Sequence, residues 1–322
     1  MNAQLISGLV AALGLLANIA GVASASAQDG HAAHAEPADH GHGHADFASD
    51  RLHVRVDGAA GGRDIILIPG LSSSPEVWQG TVDHLGQMTM GEGWRVHRIH
   101  IQGFAGAPVQ GNGTGPVAAP VAEEIARYIT ENHLDHPVVV GHSMGGTIGM
   151  MLAARHPDLV GKLMVVDMVP FMGAMFGPPG TTAESVIPTA DAIGGGMASA
   201  TSEQYQQRAA ATVTGMINTE SRRAGPLQDT VTSDQQVAAH AFRELIATDL
   251  RPELPKITAP TTVVYAKFND PRMTPEMVDG IYQAAFANLP SVKLQRIDAS
   301  AHFIMLDQPD AFYSALDAFV AP

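Results

Sequence analysis

Ser143 stands between glycines in Val138-Val139-Val140-Gly141-His142-Ser143-Met144-Gly145-Gly146, directly after a β-branched apolar run. Such a run reads as a short buried strand, and the pattern Gly141-x-Ser143-x-Gly145 suits a turn so tight that the serine's neighbours cannot carry bulk. A helix then begins directly beneath the hydroxyl. This geometry lifts the Ser143 Oγ clear of the sheet. It also aims the Met144 N–H and the positive end of the new helix at the space where an attacked carbonyl becomes an oxyanion. The chemistry on offer is nucleophilic attack by serine, which needs a base and a group to orient that base.

Downstream of Ser143 the histidines are His156, His240 and His302. His156 lies in a helix-ending Arg-His-Pro-Asp turn, and His240 falls in a long insertion. His302, in Asp298-Ala299-Ser300-Ala301-His302-Phe303, follows the last strand pattern, where a base reaches over the nucleophile, so His302 is the expected general base. For the acid, Asp270 in Phe268-Asn269-Asp270-Pro271 follows a strand and lies between serine and histidine in chain order. Asp270 is the favoured acid. Asp167, which ends the strand Val165-Val166-Asp167, is the alternative, with hydrogen bonding at the strand end as its other role. The second oxyanion donor is expected from Leu71, since Gly70 lets the backbone approach, beside Met144; Ser72 is a neighbouring contributor. Trp78 is expected to pack that loop.

The elements that must position these groups alternate between strand and helix from Leu52 onward, the mark of an α/β fold with a mostly parallel sheet covered on both faces. Strands are predicted over Arg63–Pro69, Trp94–Ile101, Pro137–Gly141, Lys162–Asp167, Thr261–Lys267 and Val292–Ile297. Helices are predicted over Val121–Asn132, Met144–Arg155 and Pro309–Val320. Residues 170–255 interrupt the alternation without a clear strand and open on the apolar stretch Phe171 to Pro179. Helical patterns follow at Ser202–Asn218 and Ser233–Asp249. An insertion of this size suits a helical cap over the strand C-terminal ends, with residues 51–169 and 256–322 forming the core. His142 and Ser72, together with Phe171, Met172, Met175 and Phe176, are the candidates for lining a substrate pocket; packing of the cap's own core is the competing role of the last four.

Composition narrows the class. The chain has 322 residues, 45% of them hydrophobic, enough for a sizeable core. A net charge of −14 without any basic cluster argues against a nucleic-acid partner. Absence of cysteine excludes a disulfide framework, a thiolate metal site and a cysteine nucleophile. From Leu5 to Val22 the N-terminus is apolar and uncharged, and Ala25-Ser26-Ala27 before Gln28 has the small-residue pattern of a cleavage site. An export signal over 1–27 is expected, giving a periplasmic or secreted protein without stable membrane association after cleavage; an uncleaved anchor is the alternative. Residues 28–50 carry His31, His34, His40, His42 and His44 among Ala, Gly, Asp and Glu, with no apolar face to fold around. They read as a disordered linker with weak, incidental affinity for Zn, Cu or Ni. No cofactor and no dedicated metal site is expected.

The four ordered motifs Pro69-Gly70-Leu71-Ser72-Ser73-Ser74-Pro75-Glu76-Val77-Trp78, Gly141-His142-Ser143-Met144-Gly145-Gly146, Asn269-Asp270-Pro271 and Ser300-Ala301-His302-Phe303 resemble those of the α/β-hydrolase superfamily, in its capped, esterase-like branch, over about residues 52–320. The resemblance implies that Ser143, Asp270 and His302 form a triad and that Leu71 and Met144 form the oxyanion hole. The activity it implies is hydrolysis of small to medium, apolar carboxylic esters through an acyl-enzyme. A lactonase, a C–C bond hydrolase or a perhydrolase would use the same triad. A non-catalytic exported metal-binding protein with a hydrolase fold is the reading from another class.

Overall fold

The computed structural model describes residues 47–88, 93–270 and 272–321. The expected export signal and the five histidines of the linker lie outside the described residues.

Among the described residues seven strands form one sheet: β1 (Leu52–Gly58), β2 (Arg63–Ile68), β3 (Trp94–Ile101), β4 (Val138–His142), β5 (Lys162–Val166), β6 (Thr261–Ala266) and β7 (Lys293–Ile297). Their order is β1-β3-β2-β4-β5-β6-β7. β1 runs antiparallel to β3, and every other pairing is parallel. A parallel sheet needs cover on both faces, and the strand sequences supply two apolar faces by period-two alternation. In β2, Ile66 and Ile68 join one core cluster, while Ile65 and Leu67 join the cluster on the opposite face.

Helix α1 (Gln79–Gln87) joins β2 to β3, α2 (Ala118–Glu131) joins β3 to β4, and α3 (Met144–Arg155) joins β4 to β5. Every residue of α3 from Met144 to Ala154 is buried. Its Gly145, Gly146, Gly149, Ala153 and Ala154 keep it thin enough to sit against the sheet. His156 and Pro157 then end it, because proline cannot extend the hydrogen-bond ladder.

Between β5 and β6 the chain leaves the sheet for α4 (Ala183–Ala198), α5 (Ser202–Met216), α6 (Ala224–Thr232) and α7 (Gln235–Ala247). Of these, α4 departs from the sequence expectation. Pro188 and the run Gly194-Gly195-Gly196 mask its helical pattern, yet a capping box between Thr182 and Ser185 starts it and packing against α7 sustains it. Three buried or half-buried carboxylates fasten this insertion to the sheet-bearing part. Glu244 of α7 accepts hydrogen bonds from the Val117, Ala118 and Ala119 N–H groups at the start of α2, at 2.6, 2.7 and 2.9 Å. Asp229 of α6 accepts from the Ser74 N–H and Oγ at 2.8 and 2.7 Å. Asp307 accepts from Asn218, Thr219 and Ala301 N–H groups. Helices α8 (Pro275–Ala285), α9 (Ile304–Asp307) and α10 (Pro309–Val320) complete the chain.

Candidate functional site

Ser143 occupies the turn between β4 and α3 with φ 54° and ψ −120°. A β-carbon in this left-handed region is strained, and the turn holds it by the bonds on either side. The Ser143 N–H donates to the Val166 carbonyl at 2.9 Å, and the Ser143 carbonyl accepts from Gly146 at 2.8 Å. Gly145 is obligatory for the approach, and Gly70 makes it close. A β-carbon at Gly145 would meet the Ile68 carbonyl oxygen at 2.2 Å, and one at Gly70 would lie 3.1 Å from the Ser143 Cβ. The loop after β2 is therefore pressed against the serine, as the sequence suggested.

His302 sits in the loop between β7 and α9 and is buried. Its Nδ1 lies 2.6 Å from Oδ2 of Asp167, a pair whose side chains are each only 4% exposed. This corrects the expected acid: the partner of His302 is Asp167, and Asp270 is not brought to it. Asp270 points to Arg272, which donates to it from Nε, Nη2 and the backbone N–H and holds its carboxyl at about 2. The physical reason lies in the two strand ends. Asp167 follows β5 in a left-handed conformation, φ 50°, its N–H bonded to the Val264 carbonyl, which turns its side chain toward β6 and the His302 loop. The other carboxylate oxygen, Oδ1, accepts from the Ala266 N–H at 3.0 Å and the Tyr282 hydroxyl at 3.1 Å. Burial, and then the charge of Asp167, push the Tyr282 phenol well above its ordinary value, so it stays a donor. With both oxygens of Asp167 accepting, the His302 Nδ1 carries the proton and its Nε2 lone pair is the basic one.

His142, the residue before the serine, is fully buried, and its Nε2–H donates to the His302 carbonyl at 3.0 Å. Burial and the neighbouring His302 hold its pKa well below the ordinary histidine value, so it is a neutral positioning group. Its ring lies 4.6 Å from that of His302 and 4.7 Å from that of Phe303. Trp78 packs behind it, 6.5 Å away, and against Phe312.

Ser143, His302 and His142 line one cavity, enclosing about 90 Å³, with Gly70, Leu71 and Ser72 on its floor. Among the described residues neither the Leu71 nor the Met144 N–H donates to another backbone group, so both remain available to a ligand oxygen. Of the four apolar residues expected at the entrance to the insertion, Met172 lines the cavity and the other three do not. Phe171 is buried beneath Arg251, whose guanidinium carbon is 4.6 Å from its ring centre. Phe176 packs edge-on against Phe242, and Met175 packs half-buried on the core. The apolar wall comes instead from Met197, Val213, Met216, Phe242 and Leu245 of α4, α5 and α7, with Phe303 opposite. Tyr205, Arg208 and Thr212 of α5 add polar groups that sequence reasoning missed. Their common spacing on a helix was the available signal, and nothing local says which face of that helix meets the site.

Comparison with known proteins finds relatives of the chain and of its fold. The family model described as alpha/beta hydrolase fold matches residues 65–309. The chain is 25% identical over 281 residues to a pimeloyl-[acyl-carrier protein] methyl ester esterase of Aeromonas hydrophila, covering 84% of this chain and all of that one. A hydrolase from Pseudomonas aeruginosa superposes with a TM-score of 0.68 at 18% identity, over 84% of this chain and 94% of its own. An enol-lactonase from Burkholderia xenovorans superposes with a TM-score of 0.64 at 21% identity, over 84% and 96%.

Proposed function

The chain belongs to the alpha/beta hydrolase fold family, and from that premise we propose that it hydrolyses carboxylic esters by acyl transfer through Ser143, His302 and Asp167. One observation carries the reading: His302, paired with Asp167 at 2.6 Å, lines the same cavity as the strained Ser143 turn. In this mechanism His302 Nε2 takes the Ser143 proton as Oγ attacks the ester carbonyl. Asp167 holds the Nδ1–H tautomer and stabilises the imidazolium that forms. The Leu71 and Met144 N–H groups bind the oxyanion; each is worth about 3 kcal/mol of barrier. His302 then gives its proton to the departing alcohol oxygen, and the alcohol leaves. Water, deprotonated by His302, attacks the acyl-enzyme, and the acid departs as Ser143 recovers its proton.

The insertion over 170–255 acts as a cap that covers the site and supplies its apolar wall. A cavity of about 90 Å³ is smaller than the ~150 Å³ cavity that admits a benzene, so a short acyl or alcohol group is the expected guest in this conformation. Residues 1–27 direct export with cleavage after Ala27, and N-terminal sequencing of protein recovered from outside the cytoplasm tests that directly. For the activity, purified protein should hydrolyse short-chain p-nitrophenyl esters and lose nearly all turnover on Ser143→Ala. Turnover unchanged by that substitution would remove the proposal. The chain is similar in sequence to an esterase and in fold to a lactonase, so a parallel screen of linear esters and lactones divides open-chain from cyclic substrates.

A further inference from the structure

Helix α5 crosses the cavity from end to end. At its C-terminus the Met216 carbonyl accepts from the Phe303 N–H at 3.2 Å, beside His302. At the other end Tyr205, raised above its ordinary value by burial and drawn back by a hydrogen bond with the Ser72 side chain, borders the loop that carries Leu71. From Tyr205 to Met216 the helix rises eleven residue steps, ~16 Å of axis. Tyr205, Arg208, Ala209, Thr212, Val213 and Met216 all line the cavity, the stripe that 3.6-residue periodicity turns to one side.

Two features of this stripe do not belong to an apolar acyl pocket. The Arg208 guanidinium reaches only the Gly196 carbonyl, at 3.5 Å, and no described carboxylate lies within 4.0 Å of it. Arg243, on the neighbouring α7, is by contrast matched by Asp191 at 2.6 Å. Four residues on from Arg208, and so on the same face, the Thr212 hydroxyl is buried without a hydrogen-bond partner among the described residues. An unmatched buried hydroxyl costs stability unless something satisfies it, and beside it the half-exposed Arg208 guanidinium at the cavity's edge is a donor fork that suits a planar anion.

We propose that the ester substrate bears a carboxylate on the arm that lies along α5, held by Arg208 and completed by the Thr212 and Tyr205 hydroxyls. The inference rests on the esterase reading for its reaction and on α5 alone for its specificity. The substrate class is then the half-ester of a short dicarboxylic acid. The protein's net charge of −14 repels such an anion at long range, so preference for it requires a local cation.

The test compares the monomethyl and dimethyl esters of succinic, glutaric and adipic acids at pH 7.5, following methanol release by the wild-type chain. At one chain length or more the monoester should be favoured in kcat/KM by about tenfold or more, the scale of one charge-assisted bidentate contact. Arg208→Gln should bring the mono-to-diester ratio to about one, Arg208→Lys should restore part of it, and Arg208→Glu should invert it. A wild-type ratio of one or less at all three lengths, or a ratio unmoved by Arg208→Gln, overturns the proposal. The same pairs are also measured as binding to Ser143→Ala protein by calorimetry. Tighter binding of the half-ester without any wild-type turnover would sink the esterase reading and leave the anion site standing. Equal binding would sink the site whatever the turnover. If Arg208→Gln does not fold, Thr212→Val provides the same ratio, which must fall.

Discussion

Replacing Asp167 by asparagine separates the observed acid from Asp270, the one expected from the sequence. The substitution is isosteric, so the changes are electrostatic. Asp167 accepts from His302 Nδ1–H through one oxygen and from the Ala266 N–H and Tyr282 hydroxyl through the other. In Asp167→Asn the amide oxygen must keep the two donors Ala266 and Tyr282, which turns the NH₂ group toward His302. An NH₂ facing Nδ1 demands a lone pair there, so the ring proton moves to Nε2 and His302 can no longer take the Ser143 proton. The imidazolium also loses its counter-charge. Loss of an orienting aspartate in a serine triad costs about 10⁴ in kcat, or about 5 kcal/mol of barrier at 1.36 kcal/mol per decade. Asp270→Asn touches only Arg272 at the surface, and its effect should stay within about threefold. The assay is kcat/KM on a short p-nitrophenyl ester, with Tm recorded for both variants to confirm folding. If Asp270→Asn abolished turnover while Asp167→Asn left it intact, the reasoning from the His302 pair would be wrong.

Other consequences are open to direct measurement. Tyr282→Phe keeps the ring stacked on Tyr265 at 4.0 Å but removes a donor from Asp167; with one charge-assisted hydrogen bond fewer holding the carboxylate in place, kcat/KM should fall by about tenfold. An unchanged kcat/KM would show that this hydroxyl does not support the triad. Glu244→Gln sets an NH₂ group against the N–H groups at the start of α2, costing about 2 kcal/mol, or a Tm lower by roughly 4–8 °C for a domain of this size; unchanged thermal unfolding contradicts the fastening role. Burial pushes the Asp64 carboxyl up, but hydrogen bonds from His97 and Arg95 outweigh it and hold it at about 2. A depressed folded-state pKa contributes stability that is present above the unfolded value near 3.8 and is lost as pH falls through about 2. Asp64→Asn should therefore lower the urea midpoint at pH 6, with the gap to wild type narrowing between pH 4 and 2; a gap constant with pH excludes this linkage.

The sequence made some parts of the site plain and hid others for physical reasons. The Ser143 turn was legible because part of its constraint is local: a β-carbon at Gly141 would meet the Gly145 carbonyl oxygen at 2.1 Å within one strand-turn-helix unit, whereas Gly145 is demanded by the Ile68 carbonyl of β2. His302 was legible by elimination, since His156 and His240 fall in places that do not reach the turn. Asp167 was not, because both it and Asp270 follow parallel strands and lie between Ser143 and His302 in the chain, Asp167 one residue after β5 and Asp270 four after β6. That choice rests on a φ of 50° at Asp167 and on the Val264 and Ala266 backbone of a strand nearly one hundred residues away, a tertiary fact with no local signature. The sheet order and the covering helices followed from alternation of apolar faces. Helix α4 did not, because Pro188 and three consecutive glycines weaken its intrinsic propensity and its stability comes from lying on α7. The pocket wall was misplaced for a related cause. Phe171, Met175 and Phe176 are apolar and close to the site in sequence, but their surface is spent on packing the insertion to the core, and the wall is drawn from helices twenty to seventy residues further on.

The most direct test of the account is covalent. A fluorophosphonate probe should react once per chain, with the adduct on Ser143 by tandem mass spectrometry, and labelling should fall to background in His302→Ala, collapse in Asp167→Asn and persist in Asp270→Asn. A probe that leaves Ser143 unmodified, or labels it as fast without His302 and Asp167, would contradict the claim that these three residues act as one unit.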